Sequence, residues 1–118
     1  MISEVIKDHN MSLNLDTYWI QLRVDGIGRQ SKAFEAVSVQ IIWDAVVGIL
    51  DGIIELHGTN EQNSLSLLST INVNSISNRS NSILFDLSSS YEFLKIRYIK
   101  NNILDGRLNV IIRYEEKS

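Results

Sequence analysis

Two histidines, His9 and His57, are the first residues to ask about catalysis. A general base needs a positioned partner and a substrate cleft. Neither histidine stands in a Ser-His-Asp arrangement or beside paired carboxylates. His57 falls on the polar side of an alternating stretch, next to Gly58, where an exposed or turn-flanking residue is expected. Four carboxylates (Asp44, Asp51, Asp86 and Asp105) fall near the ends of alternating stretches. Loop carboxylates of this kind hold Ca²⁺ in many β-sandwich modules. Here they are spread through the chain without an EF-hand-like cluster, and they read as turn formers. The chain has no cysteine, which excludes disulfides and thiolate metal sites. Asp25-Gly26-Ile27-Gly28 is too short for a phosphate-cradling glycine pattern. The expectation is a chain without catalytic set, cofactor or metal.

Recognition chemistry is better represented. Trp19 lies on the side opposite Ile20, Leu22 and Val24, together with Gln21 and Arg23. A tryptophan beside polar groups can stack on a sugar ring or anchor a protein interface. It can equally be covered by a second sheet or by the N-terminal segment. Trp43 shares a face with Val39 and Ile41 and is expected in the core. Tyr91, Phe93 and Tyr98 read as packing residues. Lys95 and Arg97 share one face of one stretch, and Arg107 and Arg113 one face of another. If those stretches pair through Asp105-Gly106, the four cations cluster and could meet an acidic neighbour. The alternative is a solvated strand face balanced by Glu55 and Asp86.

The elements that must carry these residues are strands. Apolar and polar residues alternate through Tyr18–Val24, Val37–Trp43, Ile53–His57, Ile83–Leu87, Leu94–Tyr98 and Leu108–Tyr114, and more weakly around Ile71 and Val73. β-Branched and aromatic residues dominate these stretches, as half-buried pleated surfaces favour. The spacers are turn chemistry. Asp51-Gly52 and Asp105-Gly106 read as tight turns, and Gly58 and Asn60 as a further one. Ile-Leu-Asp-Gly occurs twice, at 49–52 and 103–106, either as a duplicated hairpin or as the same turn chemistry chosen twice. Short strands with no helix between them predict an all-β fold. Specifically, they predict an antiparallel β-sandwich, jelly-roll-like, of about seven to eight strands. Residues 1–16 read as an N-terminal arm or an edge strand, and 17–118 as a single sandwich domain. Ile2, Val5 and Ile6 are the arm's candidates for packing on a neighbour; a frayed terminus is the alternative.

Composition bounds the rest. A chain of 118 residues is one domain by length. It can bury roughly 65% of its unfolded surface without staples. The formal charge of −3, with both signs interspersed, argues against a nucleic-acid surface. MISEVIKDHNMS does not read as a signal peptide, because acidic residues interrupt it. No apolar run approaches the ~18 residues of a membrane span. The richness in Ile, Asn and Ser points to an AT-rich genome.

One stretch runs VQIIWDAVVGILDGIIELHGTNEQNSLSLLS from Val39, and a later one runs SYEFLKIRYIKNNILDGRLNVIIRYEEK. Together they resemble a β-sandwich family of tailed-phage structural proteins. In that family a strand leads into a Gly-Ser-Asn-Asp-Gly-like turn with a Trp shortly after it. A Tyr-x-Tyr/Phe-x-Arg-x-x-Tyr strand and a Gly-x-Leu-Asn hairpin follow. Here Gly58-Thr59-Asn60-Glu61-Gln62 occupies the turn, and Leu65 stands where the Trp is usual. Tyr91, Phe93, Arg97 and Tyr98 approximate the strand, and Gly106, Leu108 and Asn109 the last motif. The resemblance spans roughly residues 36–115, and discoidin-like and carbohydrate-binding modules share the layout.

What the resemblance implies is a virion structural role. The chain would decorate or stabilise a capsid, or form a head-fibre or tail component, as a homo-oligomer or lattice-bound subunit. Its partners would be other virion proteins, with no nucleic acid and no membrane, and weak contacts would be multiplied by symmetry. The alternative is a carbohydrate-binding module for host-surface glycans, with Trp19 or residues around Thr59–Asn63 on the sugar.

Overall fold

The structure is a computed structural model that describes residues 2–24, 33–49, 51–61, 64, 66–73, 81–87 and 92–117. The expected turn at 25–28 lies outside the described residues, as do Gln62, Asn63, Leu65 and Tyr91.

Ten strands are described: β1 (Ile2–Asn10), β2 (Leu15–Asp16), β3 (Ile20–Gln21), β4 (Arg23–Val24), β5 (Ala33–Gly48), β6 (Ile53–Thr59), β7 (Ser66–Asn72), β8 (Asn81–Asp86), β9 (Phe93–Ile99) and β10 (Ile103–Lys117). They form two sheets, and every pairing is antiparallel. The first sheet runs β1-β10-β5, with β4 and β8 both on the far edge of β5. The second runs β7-β6-β9, with β2 and β3 both on the far edge of β9. If β2 and β3 are taken as one interrupted strand and β4 as a short addition, eight positions remain. Their sheet orders are 1-8-3-6 and 2-7-4-5, which is the jelly-roll arrangement of two interlocked Greek keys.

Alternation explains why the two sheets pack. Ile54 and Leu56 on β6, Leu94, Ile96 and Tyr98 on β9, Ile41 and Trp43 on β5, and Leu108, Val110 and Ile112 on β10 all face inward and are buried. Each such side chain contributes about 1.5–3 kcal/mol on burial. Two tyrosines then tie the layers. The Tyr98 hydroxyl donates to the Met11 carbonyl at 2.7 Å, in the β1–β2 connection. The Tyr114 hydroxyl, from the first sheet, donates to the Gln21 carbonyl of β3 in the second at 2.8 Å.

Several local expectations need correction. The stretch from Tyr18 to Val24 is not one strand. β3 belongs to the second sheet and β4 to the first, and the chain crosses between them at Leu22. Leu22 is buried; its N–H donates to the Glu92 carbonyl and its carbonyl accepts from Ala36 N–H, so one residue serves both sheets. Asp105-Gly106 is no hairpin turn but lies inside β10, where the register with β5 shifts on both sides of Asp105. A bulge uses the same tolerance of unusual φ that a turn does, and Gly106 has φ +146°. Asp51-Gly52 joins β5 to β6 across the two sheets, so it closes no hairpin either, and the repeated tetrapeptide marks two different devices. Gly58 lies within β6, paired with Ser66 and Leu94, and the turn begins only at Asn60. Val37, expected on the inner face, sits at a further bulge, because Arg113 pairs with Ser38 and Tyr114 with Ala36.

The N-terminal segment is integral to the sandwich. β1 pairs with β10 from Ile2 to Asn10, and β2 adds to β9. Two register shifts interrupt β1, and Asp8 takes φ +49°. Bulges of this kind blunt an exposed edge against further strand pairing.

Candidate binding face

The outer face of the second sheet gathers most of the chain's recognition chemistry. Phe93, Lys95 and Arg97 point outward from β9, because Leu94, Ile96 and Tyr98 take the inner face. Glu55 and His57 point outward from β6 by the same alternation. Register sets Glu55 opposite Arg97 and His57 opposite Lys95. On the other side of β9, Asp16 pairs with Arg97 and Gln21 with Phe93.

Trp19, between β2 and β3, leans over this face and is partly exposed. Its ring meets Phe93 edge-on, with centroids 6.2 Å apart and planes at 65°. The Lys95 ammonium lies over the indole, 4.9 Å from its centroid, a cation–π distance. The Asp16 carboxylate accepts contacts from Lys95 at 3.6 Å and Arg97 at 3.3 Å. His57 Nε2 lies 3.3 Å from Glu55 Oε1. An aromatic pair therefore sits beside a fixed row of charged hydrogen-bonding groups on three adjacent strands.

The expected cluster of four cations does not form. β9 and β10 lie in different sheets, so Lys95 and Arg97 cannot share a surface with Arg107 and Arg113. Each arginine of β10 meets a carboxylate of its own strand: Arg107 bonds Asp105 at 3.1 Å and Arg113 bonds Glu115 at 2.9 Å. Arg23 bonds Glu35 across the β4–β5 pair at 3.4 Å. These pairs are surface contacts with modest energy.

The apolar residues expected to meet a neighbour divide three ways. Ile2 is exposed, opposite Arg113 on the outer side of the first sheet. Ile6 faces the protein's own core and is buried, so it is not available to a partner. Val5 is half-buried and lines a cleft of about 290 Å³ between β1 and β2, with Lys7, His9, Leu15 and Tyr18. A different apolar group emerges instead at one end of the first sheet. Val47, Ile49 and Leu104 are 51%, 64% and 70% exposed. They flank the Gly48–Ile103 pair that joins the end of β5 to the start of β10.

The turn residues have structural tasks. Asp51 accepts from the Asn102 backbone and side-chain amides, each at 2.6 Å. Gly52 is buried against the Tyr98 ring, where a Cβ would come within 2.9 Å of Tyr98 Cε1. Asn60 Oδ1 accepts from Glu92 N–H at 2.9 Å. The Thr59 hydroxyl reaches the Glu61 and Ser64 carbonyls and accepts the Glu61 N–H. A cleft of about 450 Å³ opens there, lined by Thr59, Asn60, Glu61, Ser64, Ser66 and Leu68.

Sequence reasoning missed Asp16, Glu55, His57 and Phe93 as companions of Trp19. The alternations Glu55-x-His57 and Lys95-x-Arg97 were visible, but which strands lie side by side was not. Asp16 falls at the end of the segment expected to be an arm. Among the described residues, no group of three or more His, Cys, Asp or Glu could hold a metal ion, and no helix is long and apolar enough to cross a membrane. Comparison with protein-family models, curated proteins and solved structures finds no match.

Proposed function

We propose that the chain is a structural component of a tailed-phage virion, a non-catalytic module held on the capsid or tail by protein–protein contacts. Jelly rolls serve viral coats and lectins alike, so the fold permits this role without choosing it. The virion part of the reading rests on the resemblance over residues 36–115. Its motif residues do structural work here: Leu108 fills the core, Tyr98 pins the β1–β2 connection, and Thr59 organises the tip. The docking part rests on one observation. Val47, Ile49 and Leu104 leave a small domain with an exposed apolar group at one end. An exposed apolar group of this kind suits a surface on which another chain sits.

Purified particles carrying the gene provide the test. The protein is expected among their constituents by mass spectrometry. A Leu104→Asp or Val47→Asp variant is expected to fold and to be lost from the particle. Deleting residues 1–16 would not be informative, because it removes an edge strand from each sheet.

A further inference from the structure

We infer that the outer face of the second sheet is a binding site for a neutral sugar, with Trp19 as the stacking surface and Asp16 and Arg97 as the hydroxyl-reading pair. This inference is independent of the virion reading and does not use the apolar end.

Three observations carry it. The first is the indole itself. Trp19 stays partly open to solvent, with Phe93 edge-on to it and the Lys95 ammonium over its ring, so a stacking ligand takes the opposite face or displaces Lys95. A ring fixed before binding loses little conformational entropy when a ligand stacks on it. The apolar C–H face of a pyranose suits such a surface, and few other soluble ligands pair an apolar face with a rim of hydroxyls.

The second is the polar row beside it. Asp16 holds Lys95 and Arg97 at 3.6 and 3.3 Å. The carboxylate offers acceptors and the guanidinium offers donors, side by side. A pair of neighbouring sugar hydroxyls can donate to the first and accept from the second. Glu55 and His57 extend the row across β6.

The third is charge. Lys95 and Arg97 carry two positive charges, and Asp16 and Glu55 two negative ones. These four charges balance. A phosphate, a polyanion or an acidic lipid headgroup would meet no net attraction. A neutral ligand recognised by stacking and paired hydrogen bonds fits a balanced face, whereas a charged one would leave half of the row repelling it.

The test uses the full chain and a panel of neutral oligosaccharides (gluco-, galacto-, manno- and N-acetylglucosamine oligomers), with polygalacturonate as the acidic comparison. Binding is followed by saturation-transfer NMR and by tryptophan fluorescence. Trp43 is buried, so a ligand-dependent change reports Trp19. At least one neutral oligomer is expected to bind with a Kd in the range of about 1 mM to 10 μM. Trp19→Ala and Asp16→Asn are each expected to weaken it by roughly tenfold or more, while Asp16→Asn leaves the melting temperature almost unchanged. If Trp19→Ala fails to fold, amide shift mapping on the unaltered protein replaces it, with perturbations expected at Trp19, Phe93, Lys95 and Arg97. The inference is overturned if no neutral oligomer binds at about 10 mM. It is also overturned if binding survives Trp19→Ala undiminished, maps to another surface, or is confined to polygalacturonate.

Discussion

The Tyr98 hydroxyl donates to the Met11 carbonyl at 2.7 Å, from a fully buried ring on β9 to the connection between β1 and β2. That bond fastens the N-terminal segment to the second sheet, beside the β1–β10 and β2–β9 pairings that make it part of the fold.

Removing the hydroxyl should therefore loosen the N-terminal edge. Tyr98→Phe keeps the ring in the core and leaves the Met11 carbonyl without this donor. An unmet buried acceptor costs about 1–3 kcal/mol. Thermal unfolding should show a drop of several degrees, since about 1 kcal/mol corresponds to roughly 4 °C or more in a domain of this size. Hydrogen exchange should accelerate first across residues 2–16.

Alkaline pH should act through the same group. Burial, and secondarily the Asp51 charge, push the Tyr98 hydroxyl from 10.0 up to about 12. Burial also raises Tyr114. The folded state holds the neutral phenol, while the unfolded chain releases its proton at lower pH. The stabilisation is thus complete below pH 10 and is lost as pH rises through about 12. For Tyr98 it is on the order of 2–3 kcal/mol. Chemical denaturation at stepped pH should show stability falling across that interval, with a shallower fall in Tyr98→Phe.

Two neighbouring positions on β5 should respond in opposite directions. Gly48 has φ +95°, and a Cβ there would meet Asn102 O at 2.7 Å and Leu104 Cγ at 2.9 Å. Gly48→Ala should cost about 1–3 kcal/mol. Ala45 already occupies φ +53°, a conformation that costs a residue with a Cβ about 1–2 kcal/mol. Ala45→Gly should thus be neutral or raise stability by up to about 1 kcal/mol, once the greater freedom of glycine in the unfolded chain is set against the relief. Paired denaturation curves would show the contrast, and equal losses at both positions would contradict this description of the bulges.

How much of this was legible in the sequence differs by level. Alternation located the six longer strands other than β1, because inner positions such as Leu94, Ile96 and Tyr98 must be apolar and outer ones need not be. It could not distinguish a turn from a bulge. Asp105-Gly106 satisfies both, and only the partner strand decides, since β5 continues past it. Nor could it see that Leu22 carries the chain between sheets, because a buried leucine looks alike in a strand and at a crossing. The binding face was half legible. Lys95 and Arg97 stand on the expected side of β9, and Trp19 reaches the same face from the connection between β2 and β3. Asp16 and Glu55 joined them only through sheet order, which depends on contacts far apart along the chain.

The exposed ion pairs should matter little to folding. Asp16 is substantially exposed beside Lys95 and Arg97, and pairs of this kind are worth less than about 1 kcal/mol. Asp16→Asn should melt close to the unaltered protein, which separates its effect on ligand binding from any effect on stability.

The central proposal, a virion module docked through its apolar end, is tested most directly by quantitative mass spectrometry of purified particles assembled with either the unaltered chain or Leu104→Asp. The protein should be present in the first at a fixed ratio to the major capsid or tail subunit, and depleted in the second although the variant remains soluble and folded. Particles that lack the unaltered protein while the host lysate contains it, or that retain Leu104→Asp at the same ratio, would contradict the account.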